Sequence, residues 1–89
     1  MAWLVELSSE AEKQLSKLDK QVGIRIGKFL NERVAHLDDP RSIGSSLHGP
    51  RYGELWRYRV GDFRIICKIY DERLVVSALR LGHRREIYR

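Results

Sequence analysis

The sequence predicts an α+β fold in which two antiparallel N-terminal helices pack on one face of a small, mainly antiparallel four-stranded sheet. Apolar residues recur at helical spacing in the first half, whereas three stretches of the second half alternate apolar and polar residues. The order helix, helix, hairpin, hairpin places the helices on one side of an antiparallel sheet. A length of 89 residues predicts one domain over residues 1–89.

The elements of the first half are predicted from their end signals and their apolar spacing. Residues 3–7 alternate in polarity and predict a short first strand. Ser9 and Glu12 have the spacing of a capping box, so the first helix is expected to begin there. Asp19 is the expected N-cap of the second helix. The inward stripe of this helix is predicted to contain Val22, Ile26, Phe29, Leu30, Val34 and Leu37.

The second half predicts a surface loop followed by three strands. Residues 41–53 are rich in Gly, Ser and Pro without a sustained period, which indicates a loop, with Ile43 and Leu47 as possible contacts to the core. Strands are expected over 54–60, 63–70 and 73–81, with a short turn between the last two. The row buried under the helices is predicted to contain Phe63, Ile65, Cys67 and Ile69, with Trp56 and Tyr58 from the neighbouring strand.

A two-residue turn at Gly61-Asp62 fixes the register of the first hairpin. This register places Arg59 opposite Arg64 and carries Arg57 onto the same face. Like charges directly across a strand pair destabilise a sheet by about 0.2–1 kcal/mol per pair. Two interpretations are open: the three arginines are solvated residues of an exposed face, or they hold a polyanion whose phosphate oxygens match the planar guanidinium.

Two details of the packing are less regular. Gly23 and Gly27, four residues apart on the second helix, predict a close approach to the first helix. Strict alternation from the second turn places Arg80 on the core side of the last strand. Either a bulge near Gly82 redirects this side chain or it reaches solvent past the end of the sheet.

The distribution of charge indicates a polyanionic partner. Of the net charge of +5, residues 1–46 contribute none, with seven basic and seven acidic residues, whereas residues 47–89 hold ten basic and five acidic residues. One cysteine, Cys67, forms no internal disulfide, and neither a signal peptide nor a membrane-spanning run is evident, so a cytoplasmic protein without membrane contact is expected. No cofactor is expected, and the three histidines lack the spacing of metal ligands.

The C-terminal tail surrounds Tyr88 with basic side chains, at Arg80, His83, Arg84, Arg85 and Arg89. Terminal segments are often frayed, but Ile87 and Tyr88 are suited to dock the tail on the sheet beside the arginines. Cleavage of RNA without a metal requires deprotonation of a 2′-hydroxyl, stabilisation of negative charge at phosphorus and protonation of the leaving 5′-oxygen. Arginines meet the second need, and Tyr88 or His83 is a candidate for the proton transfers.

Over nearly its whole length the sequence resembles the RelE toxin family of bacterial toxin–antitoxin pairs. The residues that carry this resemblance are Leu47-His48-Gly49, the hairpin from Leu55 to Ile66, Leu74-Val75-Val76, Leu81-Gly82-His83-Arg84-Arg85 and the closing Ile87-Tyr88. The resemblance implies a metal-independent endoribonuclease that cleaves messenger RNA in the ribosomal A site and so inhibits translation. It also implies a RelB-like antitoxin with an acidic wrapping segment, and operator DNA bound through the toxin–antitoxin complex.

The resemblance also implies roles for individual residues. Arg64 matches the family's strand arginine at the scissile phosphate, Arg57 matches a basic residue of the preceding strand, and Arg84 and Tyr88 match the family's late arginine and C-terminal tyrosine. His83 is a further catalytic candidate because some relatives carry a histidine near this point. A lysine of the family's best-known site falls on Leu55 here. Further contacts to RNA are expected from Arg59, Lys68, Arg80 and Arg85.

A second function from a different class is compatible with the same sequence. The resemblance extends to ParE toxins, which share the fold and inhibit DNA gyrase without catalysis. In that case the basic residues serve only to contact protein or DNA, and loss of Tyr88 is expected to have little effect.

Overall fold

The computed structural model describes residues 2–47 and 54–88. In chain order, its elements are strand β1 (Leu4–Leu7), helix α1 (Ser9–Ser16), helix α2 (Lys20–Lys28), strand β2 (Ser45–Ser46), strand β3 (Trp56–Val60), strand β4 (Phe63–Tyr70) and strand β5 (Val75–His83). A π-helical turn (Phe29–Arg33) and a 3₁₀ turn (Val34–His36) continue α2. No helix in this part of the chain is long and apolar enough to cross a membrane.

The strands form one sheet in the order β1-β5-β4-β3-β2. Only the pairing of β1 with β5 is parallel, and the other three pairings are antiparallel. The predicted α+β fold is therefore confirmed, but the predicted count of four strands is one too low. The additional strand, β2, lies within the predicted loop, where two serines are too short a run to show a period. Residues 48–53, which include the rest of that loop and His48-Gly49, lie outside the described residues.

Helix α1 begins at Ser9 as expected, but its N-cap lies one residue earlier than the capping box predicts. The N-cap is Ser8, whose Oγ accepts a hydrogen bond of 3.0 Å from the backbone amide of Ala11. The same hydroxyl donates to the carbonyl oxygen of Leu79 at 2.7 Å. The prediction of Ser9 as the cap is wrong because Ser8, unlike Ser9, also lies at the end of β1, where the sheet supplies an acceptor.

Helix α2 and its continuation bury the predicted stripe as far as Val34, whereas Leu37, after the last turn, is half-buried and lies outside the core cluster. Ile26, Leu30 and Val34 are buried in the core, and Val22 and Phe29 pack against it. Asp19 occupies the N-cap position, although its side chain caps no amide. Of the two glycines, Gly23 approaches Leu15 of α1, whereas a methyl group at Gly27 would meet no atom within 4 Å. The predicted close approach is confirmed at Gly23 and is wrong at Gly27.

The core lies between the helices and one face of the sheet. Tyr58 of β3 and Ile65, Cys67 and Ile69 of β4 are buried there as predicted, and Phe63 and Trp56 pack at the margin. Burial raises the pKa of the Cys67 thiol to about 12, which is the behaviour of a small apolar residue rather than of a reactive nucleophile.

The first hairpin has the predicted register. Gly61 has a φ of 60° and begins the two-residue turn, and Arg59 pairs with Arg64 across the strands. Strand β3 begins two residues later than predicted, and β5 runs two residues later at both ends, from Val75 to His83. The delay of β5 has a local cause, because Leu74 adopts a left-handed conformation with a φ of 54° in the turn before it.

A β-bulge in β5 determines the orientation of Arg80. Ile66 pairs with Arg80 and Cys67 pairs with Ala78, which leaves Leu79 as an additional residue. The bulge turns Arg80 to the sheet face opposite the helices, and it lies at Leu79 rather than near Gly82. Ser8 of α1 binds the carbonyl oxygen of the bulged residue. The side chain of Gln14 accepts from the amide of Leu81 at 2.7 Å, so α1 satisfies the edge of β5 beyond the bulge.

Candidate active site

The sheet face opposite the helices, called the outer face below, carries four arginines in two adjacent rows. Arg57, Ile66 and Arg80 pair across β3, β4 and β5, and Arg59, Arg64 and Gly82 form the neighbouring row. Alternation along each strand directs these side chains away from the core. The bulge at Leu79 is required for this arrangement because it brings Arg80 into the row of Arg57.

Arg57 is held by hydroxyl groups. Its Nη1 donates to the Tyr88 hydroxyl at 3.0 Å and its Nη2 donates to Ser45 Oγ at 3.0 Å, while its buried Nε has no hydrogen-bond partner in the described structure. No carboxylate of the described residues lies within ion-pair distance of Arg57. The guanidinium is therefore fixed in position while its positive charge remains available to an anion.

Arg64 is fixed by the turn of its own hairpin. Its Nη1 donates to the carbonyl oxygens of Gly61 and Phe63, each at 3.0 Å. Arg59, directly opposite, is exposed. Both arginines present donors on the outer face without a carboxylate partner in the part of the chain that the structure describes.

The tail folds back across the outer face. The amides of Glu86 and Ile87 donate to the carbonyl oxygen of His83, at 2.9 and 3.0 Å. Ile87 is 3% exposed and lies against Gly82, where a Cβ would stand 3.5 Å from its Cδ1. The turn brings Tyr88 from the end of β5 to Arg57 on β3. Ile66, between these strands, is only 2% exposed.

Arg84 lies at the tip of the first hairpin. Its amide donates to the carbonyl oxygen of Asp62 at 2.8 Å, and its Nε lies 3.9 Å from an Asp62 carboxylate oxygen. Since Arg64 binds the carbonyl of Gly61 in the same turn, Arg84 and Arg64 lie at the same end of the outer face. Arg84 itself is exposed.

His83 lies on the other face of β5. It pairs with Phe63, one position beyond the pair of Arg64 with Gly82, and therefore points to the helix side. Its ring meets the ring of Phe63 edge to face at 5.7 Å, and its Nδ1 accepts from the amide of Arg85 at 3.2 Å. The sheet thus separates His83 from the pair of Arg57 and Tyr88.

The remaining predicted RNA contacts are distributed around this centre. The Nε of Arg80 lies 3.9 Å from a carboxylate oxygen of Glu10. Lys68 is exposed on the outer face of β4, with its Nζ 5.2 Å from the ring centroid of Tyr70, and Arg85 is exposed in the tail. Of the described residues, no group of three His, Cys, Asp or Glu side chains is arranged to hold a metal ion.

One member of the candidate site was not predicted from the sequence. Ser45 pairs with Arg57 across β2 and β3 and accepts a hydrogen bond from its guanidinium. No sequence pattern marks this serine, because it lies in a Gly- and Ser-rich segment whose strand is two residues long. Gly44, just before it, has a φ of 83°, and a Cβ there would lie 2.5 Å from the carbonyl oxygen of Arg57, so a glycine is required at this approach.

Known proteins share both the sequence pattern and the fold. Residues 5–88 match the family model described as ParE toxin of type II toxin-antitoxin system, parDE. Toxin RelG of Mycobacterium tuberculosis is 28% identical over 89 residues, which span 100% of this chain and 99% of that toxin. A putative RelE-like toxin protein of Escherichia coli is 26% identical over 84 residues, covering 94% of this chain and 85% of that protein.

Solved structures agree with these sequence relatives. The RelBE2 toxin–antitoxin complex of Mycobacterium tuberculosis contains a chain with a TM-score of 0.84 and 24% identity, over 97% of this chain and 95% of that chain. The RelE–RelB complex of Pyrococcus horikoshii OT3 contains one with a TM-score of 0.75 and 26% identity, over 97% and 99% of the two chains.

The fold is thus that of the RelE-type toxins. The chain belongs to the ParE toxin family of type II toxin–antitoxin systems, within the RelE/ParE superfamily.

Proposed function

We propose that this toxin is a ribosome-dependent endoribonuclease that cleaves messenger RNA in the ribosomal A site and so inhibits translation. The observation that carries the proposal is the hydrogen bond from Arg57 Nη1 to the Tyr88 hydroxyl. It joins a cation without a carboxylate partner to a group that is able to transfer a proton. The sequence relatives support the proposal because one is described as a putative RelE-like toxin protein and the other as toxin RelG.

The arginines of the outer face act on the phosphate. Arg57 and Arg64, fixed by hydroxyl and carbonyl oxygens, bind the scissile phosphate and stabilise the negative charge that develops at phosphorus. Arg59 binds beside them. Their positions are set before RNA arrives, so little reorganisation is needed during the reaction.

Tyr88 acts as the acid towards the leaving 5′-oxygen. Its hydroxyl oxygen accepts from Arg57, which leaves the hydroxyl proton free to be donated. Arg84, at the end of the outer face with Arg64, assists the leaving group. His83 faces the helix side, where it contacts Phe63 and the amide of Arg85, and there it positions the tail.

The further RNA contacts come from basic side chains around this centre, where Lys68 and Arg85 are exposed and Arg80 is half-buried. Arg80, Lys68 and Arg85 flank the central arginines at the margins of the outer face and in the tail. Each provides a cation that binds the RNA backbone without taking part in the chemical step. Their loss is expected to weaken binding rather than to abolish cleavage.

The test maps cleavage sites on messenger RNA bound to programmed ribosomes. Tyr88→Phe retains the ring and removes only the hydroxyl, and we expect the cleavage rate to fall by about 10²–10⁴-fold, the usual contribution of a general acid or base. Tyr70→Phe is the matched control, since Tyr70 lies away from the arginine rows, and it is expected to cleave at the parent rate. Arg64→Ala is expected to remove both cleavage and toxicity.

The proposal is wrong if the parent toxin leaves ribosome-bound messenger intact, or if Arg64→Ala remains as toxic as the parent. His83→Gln separates the two candidate groups for proton transfer. If this variant loses as much activity as Tyr88→Phe at the chemical step, the assignment of the acid to Tyr88 is contradicted.

The proposed partner is a cognate antitoxin with an acidic segment that covers the basic outer face. Structural neighbours are described as RelE bound to RelB, in Pyrococcus horikoshii OT3 and in Escherichia coli. Ribosome and messenger RNA are the targets of the free toxin, and operator DNA is bound through the antitoxin complex. An affinity for the antitoxin that does not change with ionic strength would contradict the electrostatic part of this proposal.

A second candidate function is favoured by the match to a family model described as ParE toxin. In that function the toxin inhibits DNA gyrase without catalysis, and the basic residues only contact the target. Expression would then produce gyrase-dependent DNA breakage while translation continues, and Tyr88→Phe would retain full toxicity.

A further inference from the structure

A groove runs along the free edge of β3, between this strand and α2 with its π-helical continuation. Two adjoining cavities of about 530 and 440 Å³ form the groove, and they share Phe29, Arg33 and Arg59 in their walls. Strand β2 pairs only with Trp56 and Arg57, so the next three residues of β3 have no strand partner on this side in the described structure. Gly44 and Ser45 line the larger cavity as well, so β2 lies at one end of the groove.

Besides Arg57, four cations line the groove: Arg25, Lys28, Arg33 and Arg59. One acidic residue, Glu32, also lines it. All four cations are exposed, and within residues 2–47 and 54–88 none of their side chains forms an ion pair or a hydrogen bond. A concave surface with this excess of unpaired positive charge attracts and concentrates polyanions.

An aromatic ring lies between the cations. Phe29 is half-buried, lines both cavities and meets the ring of Tyr58 edge to face at 5.7 Å. Its position is therefore fixed by the core. Grooves that bind single-stranded nucleic acid combine backbone-binding cations with aromatic rings that contact bases, and this groove has both components.

The groove leads to the candidate cleavage site. Arg57 lines its larger cavity and also donates to the Tyr88 hydroxyl. A strand lying in the groove therefore reaches the outer face at the arginine that the proposed function assigns to the scissile phosphate. With Arg57 included, four of the five groove cations are arginines, whose planar donors match phosphate oxygens.

We propose that the groove between α2 and β3 binds the backbone of single-stranded RNA to one side of the cleavage site. This inference rests on the proposed function for the identity of the ligand. The groove supplies affinity through phosphate contacts, and Phe29 contacts a base, while the chemical step takes place at Arg57 and Tyr88. An acidic peptide would form ion pairs with the cations, but it has no bases to place against Phe29. RNA therefore fits the groove better.

The experiment compares two double variants with equal net charge. Arg25→Gln with Arg33→Gln removes two groove cations from α2 and its continuation, and neither residue belongs to the proposed catalytic group. Lys13→Gln with Lys20→Gln removes two exposed cations from α1 and α2 that line neither cavity. Glutamine keeps a comparable helix propensity in all four positions. Unfolding midpoints are measured to establish that both variants fold.

The probe is a short single-stranded RNA with 2′-O-methyl groups, so it lacks the hydroxyl needed for cleavage. Its binding to the protein is measured by fluorescence anisotropy over a series of salt concentrations. For single strands, each phosphate contact contributes about 0.7 to the slope of log K against log salt. We therefore expect the groove variant to reduce this slope by about 1.4 relative to the parent. The control variant is expected to keep the parent slope.

Equal losses in the two double variants would overturn the proposal, because they would show an effect of net charge alone. An unchanged slope in the groove variant would also overturn it, as would a loss of affinity for an acidic antitoxin peptide without any loss for RNA. Since this assay contains no ribosome and no cleavage, its result is independent of the proposed function. If the toxin shows the predicted slopes but does not cleave messenger RNA on ribosomes, the groove proposal is supported and the proposed function is contradicted.

Discussion

Arg57 is in an unusual environment for a half-buried cation. Its guanidinium donates to two neutral hydroxyls, those of Ser45 and Tyr88, instead of to a carboxylate. A carboxylate would neutralise the charge and compete with a phosphate for the same donors. Hydroxyls fix the orientation of the side chain without neutralising its charge, which is the arrangement expected where an anion binds.

Tyr58, the next residue along β3, has the opposite environment. It is fully buried, its hydroxyl donates to the carbonyl oxygen of Pro40, and burial raises the pKa of this hydroxyl. The hydrogen bond attaches the 3₁₀ turn Pro40–Ser42, which precedes β2, to the core. Because Ser45 follows closely in the chain, this attachment also positions the partner of Arg57.

We predict that Tyr58→Phe destabilises the protein by about 1–3 kcal/mol, since it leaves the buried carbonyl of Pro40 without a donor. The measurement is the free energy of unfolding in urea. Tyr70→Phe is the matched control and is expected to change stability by less than about 0.5 kcal/mol, as surface substitutions usually do. Equal effects of the two substitutions would contradict the role assigned to the buried hydroxyl.

At the scale of elements, α1 and the bulge in β5 depend on one another. Ser8 caps α1 at the amide of Ala11 and binds the carbonyl of Leu79, while Gln14 binds the amide of Leu81. Helix α1 and its N-cap thus supply partners for backbone groups of β5 beyond Ala78, where the pairing with β1 ends. The bulge turns Arg80 away from the core.

We predict that Ser8→Ala destabilises the protein by about 1–3 kcal/mol, because it removes a helix cap and leaves the Leu79 carbonyl unpaired. Ser9→Ala is the control. The side chain of Ser9 is exposed and makes no hydrogen bond among the described residues, so its removal is expected to change stability by less than about 0.5 kcal/mol. Thermal or urea unfolding measures both variants, and a larger effect at Ser9 would support the capping box that the sequence suggests.

At the scale of the whole molecule, an ion pair joins segments that are far apart in the chain. Arg41, in the 3₁₀ turn before β2, donates from Nη1 and Nη2 to both carboxylate oxygens of Asp71, at 2.8 and 3.0 Å. Asp71 lies in the turn between β4 and β5. The hydrogen bonds from Arg41 hold the pKa of this carboxyl below its usual value of 3.8.

The pKa of Asp71 is lower in the folded state than in the unfolded state. The ionised carboxylate of Asp71 therefore stabilises the protein above the unfolded-state pKa of 3.8, and this contribution is lost as pH falls through the folded-state pKa. We predict that Asp71→Asn lowers the urea midpoint at neutral pH and that this difference from the parent shrinks below pH 3.8. The effect is small because the pair is exposed. A difference that stays constant over the whole pH range would show that the charge of Asp71 does not contribute.

The hairpin of β3 and β4 shows how much of this molecule follows from its sequence. Alternating residues and the Gly61-Asp62 turn are local signals, and they predict the pairing of Arg59 with Arg64 as the structure has it. The helical stripe of α2 is predicted equally well because its period depends only on neighbouring turns. Family resemblance added candidate roles for the arginines and Tyr88, which the proposed experiments test.

The sequence by itself determined the helices, the main strands and the basic outer face, because local periodicity and turn chemistry encode them. Tertiary structure decided the cap at Ser8, the bulge at Leu79, the two-residue strand that brings Ser45 to Arg57, and the face on which His83 lies. Each of these depends on a hydrogen bond or a register shift between segments distant in sequence. A one-residue shift in a strand reverses the direction of every following side chain, and no local pattern records where that shift occurs.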